Sequence, residues 1–212
     1  MPVDALIIGL GNPGKEYERT RHNIGFMTVS AFTRRYDMRF SGKRMQAEIA
    51  SGHAEGLSLV IARPQTFMNS SGTSVGQLAH WYKVPTQRVL VVYDEVDLPF
   101  GALRLRPSGS AAGHKGLGSI IQALGTQEIP RLRLGIGRPP GGGKAMGHVL
   151  KLFAPNERIM LEKEILPAAV EAIRIWLTHD MEEVMRVVNA PREAATDETP
   201  PTARTGGEGS VR

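Results

Sequence analysis

Two runs, Ala5-Leu6-Ile7-Ile8 and Val89-Leu90-Val91-Val92, contain no polar residue, and this constrains the fold more than any other feature of the chain. A strand with one wet face alternates apolar and polar side chains, whereas a strand that is apolar throughout has to be covered on both sides. Each run then ends on polar residues: the first on Gly9-Leu10-Gly11-Asn12-Pro13-Gly14, the second on Tyr93-Asp94-Glu95. Strands are expected near 5–9, 45–50, 57–62, 89–94, 102–106 and 131–137, and helices near 21–36, 68–82, 115–124, 156–177 and 181–188. The alternation predicts an α/β fold: a single domain with a mixed, mostly parallel sheet and helices on both faces.

The long C-terminal helix carries Ile159, Ile165, Leu166, Val170, Ile173, Trp176 and Leu177 at helical spacing, with Pro167 expected to bend or interrupt it. A last helix should begin at Asp180, with Glu183 completing a variant of the capping box. The stretch Arg138–His148, with Pro139-Pro140-Gly141-Gly142-Gly143, reads as an irregular, mobile loop. The domain is expected to span 1–190, and the Pro-, Gly-, Thr- and Glu-rich tail 191–212 to be disordered.

The chain of 212 residues carries a net charge of +5; the tail contributes −1, leaving +6 on the rest. The cations form groups: Arg34, Arg35, Arg39, Lys43 and Arg44; then Arg104 and Arg106; then Arg131, Arg133, Arg138, Lys144 and Lys151. Grouping of this kind favours a phosphate-rich partner, although many soluble proteins carry a similar excess. Cysteine is absent, which removes disulfides and any thiol nucleophile and suits a cytoplasmic protein. The sequence shows neither a secretory leader nor an apolar run long enough to cross a membrane, so a soluble chain is expected.

Three well-known motifs occur literally and fail on their context. Gly9-x-Gly11-x-x-Gly14 matches a dinucleotide-binding turn, but Pro13 and the polar run 15–20 offer no apolar helix face to pack on the sheet. The same residues approximate a phosphate loop, yet Glu16 stands where a hydroxyl should meet magnesium. Gly72-x-Ser74-x-Gly76 matches a nucleophile elbow, but small and polar residues precede it where a buried strand is required.

Five segments, in order and at domain-scale spacing, together resemble the bacterial-type peptidyl-tRNA hydrolases. They are the Asn12-Pro13-Gly14 turn with Tyr17 and Arg21-His22-Asn23; Phe67-Met68-Asn69-Ser70-Ser71-Gly72; Asp94-Glu95-Val96-Asp97-Leu98-Pro99; Gly113-His114-Lys115-Gly116; and the run Arg131 to Gly137. The resemblance extends from about Leu6 to Asn189, with Lys115 standing where asparagine is common. It implies hydrolysis of the ester joining a peptide to the terminal ribose of tRNA, without metal or other cofactor, by a monomer that contacts the acceptor arm and 3′ end.

Within that resemblance, His22 would activate water, since imidazole is a competent base near neutral pH. Asp94 would orient the ring, and Asn69 would donate to the carbonyl oxygen as it becomes an oxyanion. Asn12, with a donor and an acceptor, would read the peptide amide. Tyr17, Phe67 and Met68 would line the substrate site with Asn69, and Lys115, Arg104, Arg106 and Arg133 would hold tRNA phosphates. Each residue also has an ordinary reading: His22 as a packed or capping side chain, Asp94 and Asn12 as turn formers, Asn69 as a helix cap. His114 is read as a structural hydrogen-bonder. Two other functions stay open: a catalytically weakened homologue that binds RNA, supported by Lys115, and a serine esterase using Ser74.

Overall fold

The computed structural model describes residues 2–139 and 145–190. At the middle of its sheet lies β1 (Ala5–Gly9), buried at every residue. It pairs in parallel with β4 (Leu57–Pro64) on one side and β5 (Val89–Glu95) on the other, and β5 pairs in parallel with β7 (Arg131–Gly135). The flanks are antiparallel: β3 (Ala47–Ala54) and β2 (Gly42–Arg44) continue beyond β4, and β6 (Leu103–Arg106) beyond β7. The spatial order is β2-β3-β4-β1-β5-β7-β6. Parallel neighbours need crossovers, and α1 (Ile24–Arg35), α2 (Ser71–Tyr82) and α3 (Lys115–Leu124) lie in these connections.

The apolar runs serve two cores. Ile7, Leu90, Val92, Leu132 and Leu134 pack with Phe32 of α1 and with Ile173 and Trp176 of α6 (Leu166–Thr178). Leu6, Ile8, Val89, Val91 and Tyr93 face the opposite way, onto Val75 and Leu78 of α2 and Leu117 and Ile120 of α3. Successive strand residues enter opposite cores, so β1 and the Val89–Val92 part of β5 leave no position for a polar side chain, and Asp94 and Glu95 come only at the carboxyl end of β5. Each fully buried aliphatic side chain contributes about 1.5–3 kcal/mol.

Departures from expectation have local causes. The short β2 carries Gly42, Lys43 and Arg44, all exposed, so it had no apolar pattern to betray it. It turns into β3 through Met45 and Gln46, both at positive φ. Pro167 does break the regular helix: α5 (Pro155–Met160) passes into π-type turns over Leu161–Ile165, and α6 restarts with Pro167 in its first turn. The helix runs on through these turns, with Leu166 N–H bonding the Leu161 carbonyl, and the missing N–H of Pro167 leaves one bond of the regular ladder unmade. The stretch expected to be irregular contains a short helix, α4 (Ala145–Val149), which corrects that part of the reading. Residues 140–144 of the expected loop and the whole expected tail, 191–212, lie outside the described residues.

Helix α7 (Met181–Val188) starts as anticipated, with the Glu183 N–H donating to Asp180 Oδ1 at 2.9 Å. The Glu183 carboxylate pairs with Arg186 instead of closing the box. At the end of α7, Asn189 covers the edge of β6: it accepts from the Leu105 N–H at 2.7 Å and donates to the Leu105 carbonyl at 3.1 Å. That side chain takes the place of a further strand at an otherwise open edge.

One close approach sets up the site. A Cβ on Gly9 would lie 2.4 Å from the Gly25 carbonyl oxygen, and one on Gly25 would lie 2.3 Å from the Val92 carbonyl oxygen. Only glycine at both positions lets the start of α1 sit directly on β1 and β5. The turn preceding α1 is thereby placed at the carboxyl ends of the two central strands.

Candidate active site

That turn is a 3-10 turn, Arg21–Asn23, with His22 at its middle. His22 Nδ1 lies 2.8 Å from Oδ1 of Asp94, the penultimate residue of β5. His114 Nε2 lies 3.1 Å from the same oxygen. The second contact fixes a tautomer. His114 is the N-cap of α3, and its Nδ1 accepts the Leu117 N–H at 3.2 Å. Its proton is therefore on Nε2, which donates to Asp94. His22 likewise gives its Nδ1–H to the carboxylate, leaving Nε2 as the lone-pair nitrogen available to a water.

Burial alone would raise the Asp94 carboxyl, but the hydrogen bonds from His114 and His22 more than reverse this and hold it well below the ordinary carboxylate range. Asp94 is thus an anion at neutral pH, in a position to stabilise a positive charge on the His22 ring. Tyr93 packs on His114 with ring centroids 4.6 Å apart, and burial pushes its phenol up to about 12. It remains a neutral, apolar wall for the His114 ring.

The sequence shows no metal-ligand spacing, yet the fold brings ligand atoms of His22, Asp94 and His114 within 4.8 Å of one another. Their geometry is that of hydrogen bonds converging on one oxygen. The His114 nitrogen facing the cluster carries a proton, because the other nitrogen is occupied by Leu117 N–H. A metal would have to displace that proton and the helix cap with it, so this donor set does not fit a resident ion.

Asn12 is buried and firmly held. Its backbone N–H donates to Asn23 Oδ1 at 2.9 Å, and Asn23 Nδ2 donates back to the Asn12 carbonyl at 3.0 Å. The Asn12 side-chain oxygen accepts the Met68 N–H at 2.9 Å. One lone pair of the side-chain oxygen is thus engaged, while the NH2 group has no partner among the described residues. A cleft of about 280 Å³ opens beside it, lined by Asn12, Lys15, Phe26, Arg63 and Gln65 among others.

Met68 is corrected as well. Its side chain is buried in the core beneath α2 and α3, so its part in the site is the backbone N–H that orients Asn12. A Cβ on Gly116 would meet the Met68 sulfur at 2.4 Å, so glycine there lets α3 close over it. The flanking residues face outward: Phe67 is 61% exposed, and Asn69 is exposed with its amide uncommitted among the described residues. Asn69 does not cap α2, whose N-cap is Ser70. Tyr17 is half-buried in the turn after Gly14, and Lys115 is exposed at the first position of α3.

The basic groups differ in their partners. Leu103 and Leu105 are buried and Arg104 and Arg106 alternate with them as expected, but Arg104 donates to the Asn189 carbonyl, and only Arg106 of that pair is exposed. Arg133 binds Glu95 through Nε at 2.9 Å and Nη2 at 2.5 Å. Arg131 is buried and satisfies carbonyls of Gly109, Ser110, Gln127 and Ile129. Arg138 pairs with Asp97 at 2.7 Å, and Lys144 lies outside the described residues. Arg104 and Arg133 are thus structural in this state, contrary to their expected role on phosphate.

Ser74 is fully buried inside α2, where no substrate carbonyl can reach it. The glycines around it serve packing: a Cβ on Gly72 would lie 2.0 Å from the Ser119 carbonyl oxygen, and one on Gly76 would touch Ala123. The motif that imitates a nucleophile elbow is the seam between α2 and α3, and the serine esterase reading is dropped.

His114 is a hydrogen-bonder as read from the sequence, though its partner Asp94 was not foreseen, and sequence reasoning missed Asn23 as the partner of Asn12 and Glu157 as the partner of Arg21. His114 and Asn23 sit inside matched motifs at helix starts, which was the available signal. Glu157 is 136 residues from Arg21, and nothing local marks it.

A sequence profile described as peptidyl-tRNA hydrolase matches residues 6–197. A peptidyl-tRNA hydrolase of Herpetosiphon aurantiacus is 49% identical over 192 residues, covering 89% of this chain and 93% of its own. One from Chloroflexus aggregans is 45% identical over 185 residues, covering 87% of this chain and 98% of its own. The crystal structure of peptidyl-tRNA hydrolase from Acinetobacter baumannii superposes with a TM-score of 0.82 at 32% identity, over 88% of this chain and 95% of that one.

Proposed function

The chain belongs to the peptidyl-tRNA hydrolase family and is a hydrolase of peptidyl-tRNA, and from that premise we propose that it acts through water activated by His22, with no covalent intermediate. The observation that carries the reading is the His22 Nδ1–Asp94 Oδ1 bond at 2.8 Å, which fixes the tautomer with Nε2 unprotonated. His22 Nε2 takes a proton as the water oxygen bonds to the ester carbonyl carbon, and the carbonyl electron pair moves onto its oxygen. The Asn69 amide donates to that oxyanion. As the carbonyl re-forms, the bond to the ribose oxygen breaks, and the imidazolium returns its proton to the departing oxygen. Peptide acid and free tRNA are the products.

The Asn12 NH2 group donates to a carbonyl of the blocked aminoacyl moiety, a contact that favours peptidyl over free aminoacyl groups. Tyr17 and Phe67 offer aromatic faces to the terminal adenine or the peptide side chain. Lys115 and Arg106, the expected cations left exposed, meet phosphates of the acceptor arm and 3′ end. The working unit is residues 1–190, acting as a cytoplasmic monomer. Among the described residues no helix is long and apolar enough to cross a membrane. The weakened-homologue reading rests on Lys115 alone, and the intact His22–Asp94 pair weighs against it.

The test is single-turnover hydrolysis of an N-blocked aminoacyl-tRNA with the intact protein mass followed through the reaction. Release of free tRNA with no acylated protein at any time, and sparing of the unblocked substrate, supports the mechanism. An acylated protein would overturn it.

A further inference from the structure

We infer that the Arg21–Glu157 ion pair is a positioning device for His22, holding the catalytic turn from behind so that its imidazole keeps its line to Asp94. The inference rests on His22 being the base.

The residues on either side of His22 are both anchored by polar contacts, buried at Asn23 and part-buried at Arg21. Asn23 is locked to Asn12 as described. Arg21 is tied to a distant segment in three ways. Its backbone N–H donates to the Lys151 carbonyl at 3.0 Å, next to an antiparallel bridge between Thr20 and Leu152. Its guanidinium lies 4.9 Å from the centre of the Phe153 ring. Its two terminal nitrogens meet the two Glu157 oxygens, Nη1–Oε1 at 3.0 Å and Nη2–Oε2 at 2.6 Å. Glu157 is fixed in turn, since Oε2 also accepts the Ala154 N–H at 2.7 Å at the start of α5.

A two-pronged guanidinium–carboxylate pair fixes direction as well as distance, which a single contact or a lysine cannot do. The pair is partly screened from solvent, with side-chain exposures of 8% for Arg21 and 22% for Glu157. Loss of either partner leaves the other short of compensation and forces the turn to move. Neither group reaches the reacting atoms. A displacement of the turn passes directly into the His22 ring, because one peptide unit separates Arg21 from it, and misplacement of a catalytic group by about 1 Å costs on the order of 100-fold in rate. A mere staple between the turn and α5 would make a different prediction: lost stability with unaltered chemistry.

The experiment compares Glu157→Gln, nearly the same shape without the charge, and Arg21→Lys, the same charge without the fork, with the full-length protein. On an N-blocked aminoacyl-tRNA, kcat should fall about 10- to 100-fold while KM stays within about twofold. The His22 Nδ1–H resonance in ¹⁵N-labelled protein should shift or broaden. Should Glu157→Gln fail to fold, Glu157→Asp, which keeps the charge and shortens the reach, carries the same measurements. Unchanged kcat and an unchanged His22 resonance, with only the melting temperature lowered, would overturn the positioning role. So would a loss expressed entirely in KM. His22→Ala runs beside these variants. If it retains turnover, the base assignment has failed; if it is inactive while Glu157→Gln is unimpaired, only the positioning role has.

Discussion

The rings of His22 and His114 stand 5.3 Å apart, tilted by 53°, and are joined through a single oxygen of Asp94. One carboxylate therefore orients the His22 ring and is itself oriented by a second imidazole whose tautomer a helix N-terminus dictates. The roles are unequal: His22 has a nitrogen left to meet water, while both nitrogens of His114 are engaged.

His22→Ala should lower kcat by about 10²–10⁴-fold, the usual worth of general-base catalysis, while tRNA binding stays near wild type and the melting temperature falls modestly because buried Asp94 loses a donor. Asp94→Asn should cost less, since the base survives with its ring poorly held. Steady-state kinetics and a tRNA-binding titration on the two variants decide it. Retention of most turnover by His22→Ala would rule out the mechanism.

His114 contributes to both the site and the fold, and two substitutions separate the contributions. His114→Ala removes a donor to Asp94 and the cap on Leu117 N–H, so kcat should fall and stability drop by about 1–2 kcal/mol. His114→Asn puts a good N-cap back without the reach to Asp94. Its stability by urea unfolding should recover towards wild type while kcat does not.

Asp94 should contribute to acid stability. Its folded carboxyl titrates below its ordinary value. Its contribution is therefore fully present above the unfolded carboxyl's value of about 3.9, and it drains away as pH falls through that value towards the folded one. Below that point the unfolded chain binds a proton that the folded one does not. Urea unfolding over about pH 5 to 3 should show stability falling with pH, and Asp94→Asn should flatten that slope. An equal slope in the variant would place the acid sensitivity elsewhere.

The two arginines of β6 should behave differently. Arg106→Ala should raise KM and reduce the log–log salt slope by about 0.7–0.9, one phosphate contact, with stability unchanged. Arg104→Ala removes a donor to the Asn189 carbonyl and should lower the melting temperature instead. KM measured at several salt concentrations, together with thermal unfolding, distinguishes them.

Lys115 occupies the first position of α3, where a cation opposes the helix dipole. Lys115→Asn should therefore raise stability slightly, by roughly 0.3–1 kcal/mol, weaken tRNA binding, and leave kcat nearly unchanged. A large rise in kcat would instead show that the ammonium restrains the imidazolium forming on His22.

How much the sequence revealed follows from how local each signal is. Val89–Val92 announced a doubly covered strand because every residue of it is apolar, and the structure sends those residues alternately into two cores. Asp180 announced a helix because a cap is a contact between residues three apart. The short β2 was invisible because an exposed edge has no apolar pattern. The arginines misled for a related reason: a cation on a strand looks the same in sequence whether it awaits phosphate, as Arg106 is proposed to, or is paired inside the molecule, as Arg133 is with Glu95.

The sequence by itself determined the α/β class, the central buried strands, the motifs that carry His22, Asn12, Asn69 and Asp94, and the family they resemble, because burial patterns and short motifs are properties of neighbouring residues. Tertiary structure alone decided that His22 and His114 share one oxygen of Asp94, that the Asn12 side-chain oxygen accepts from Met68 N–H, and that Glu157 stands behind Arg21. These contacts join residues 20 to 136 positions apart. Hydrogen bonds at about 3 Å depend on the mutual placement of whole elements, which here is set by packing at Gly9, Gly25 and Gly116.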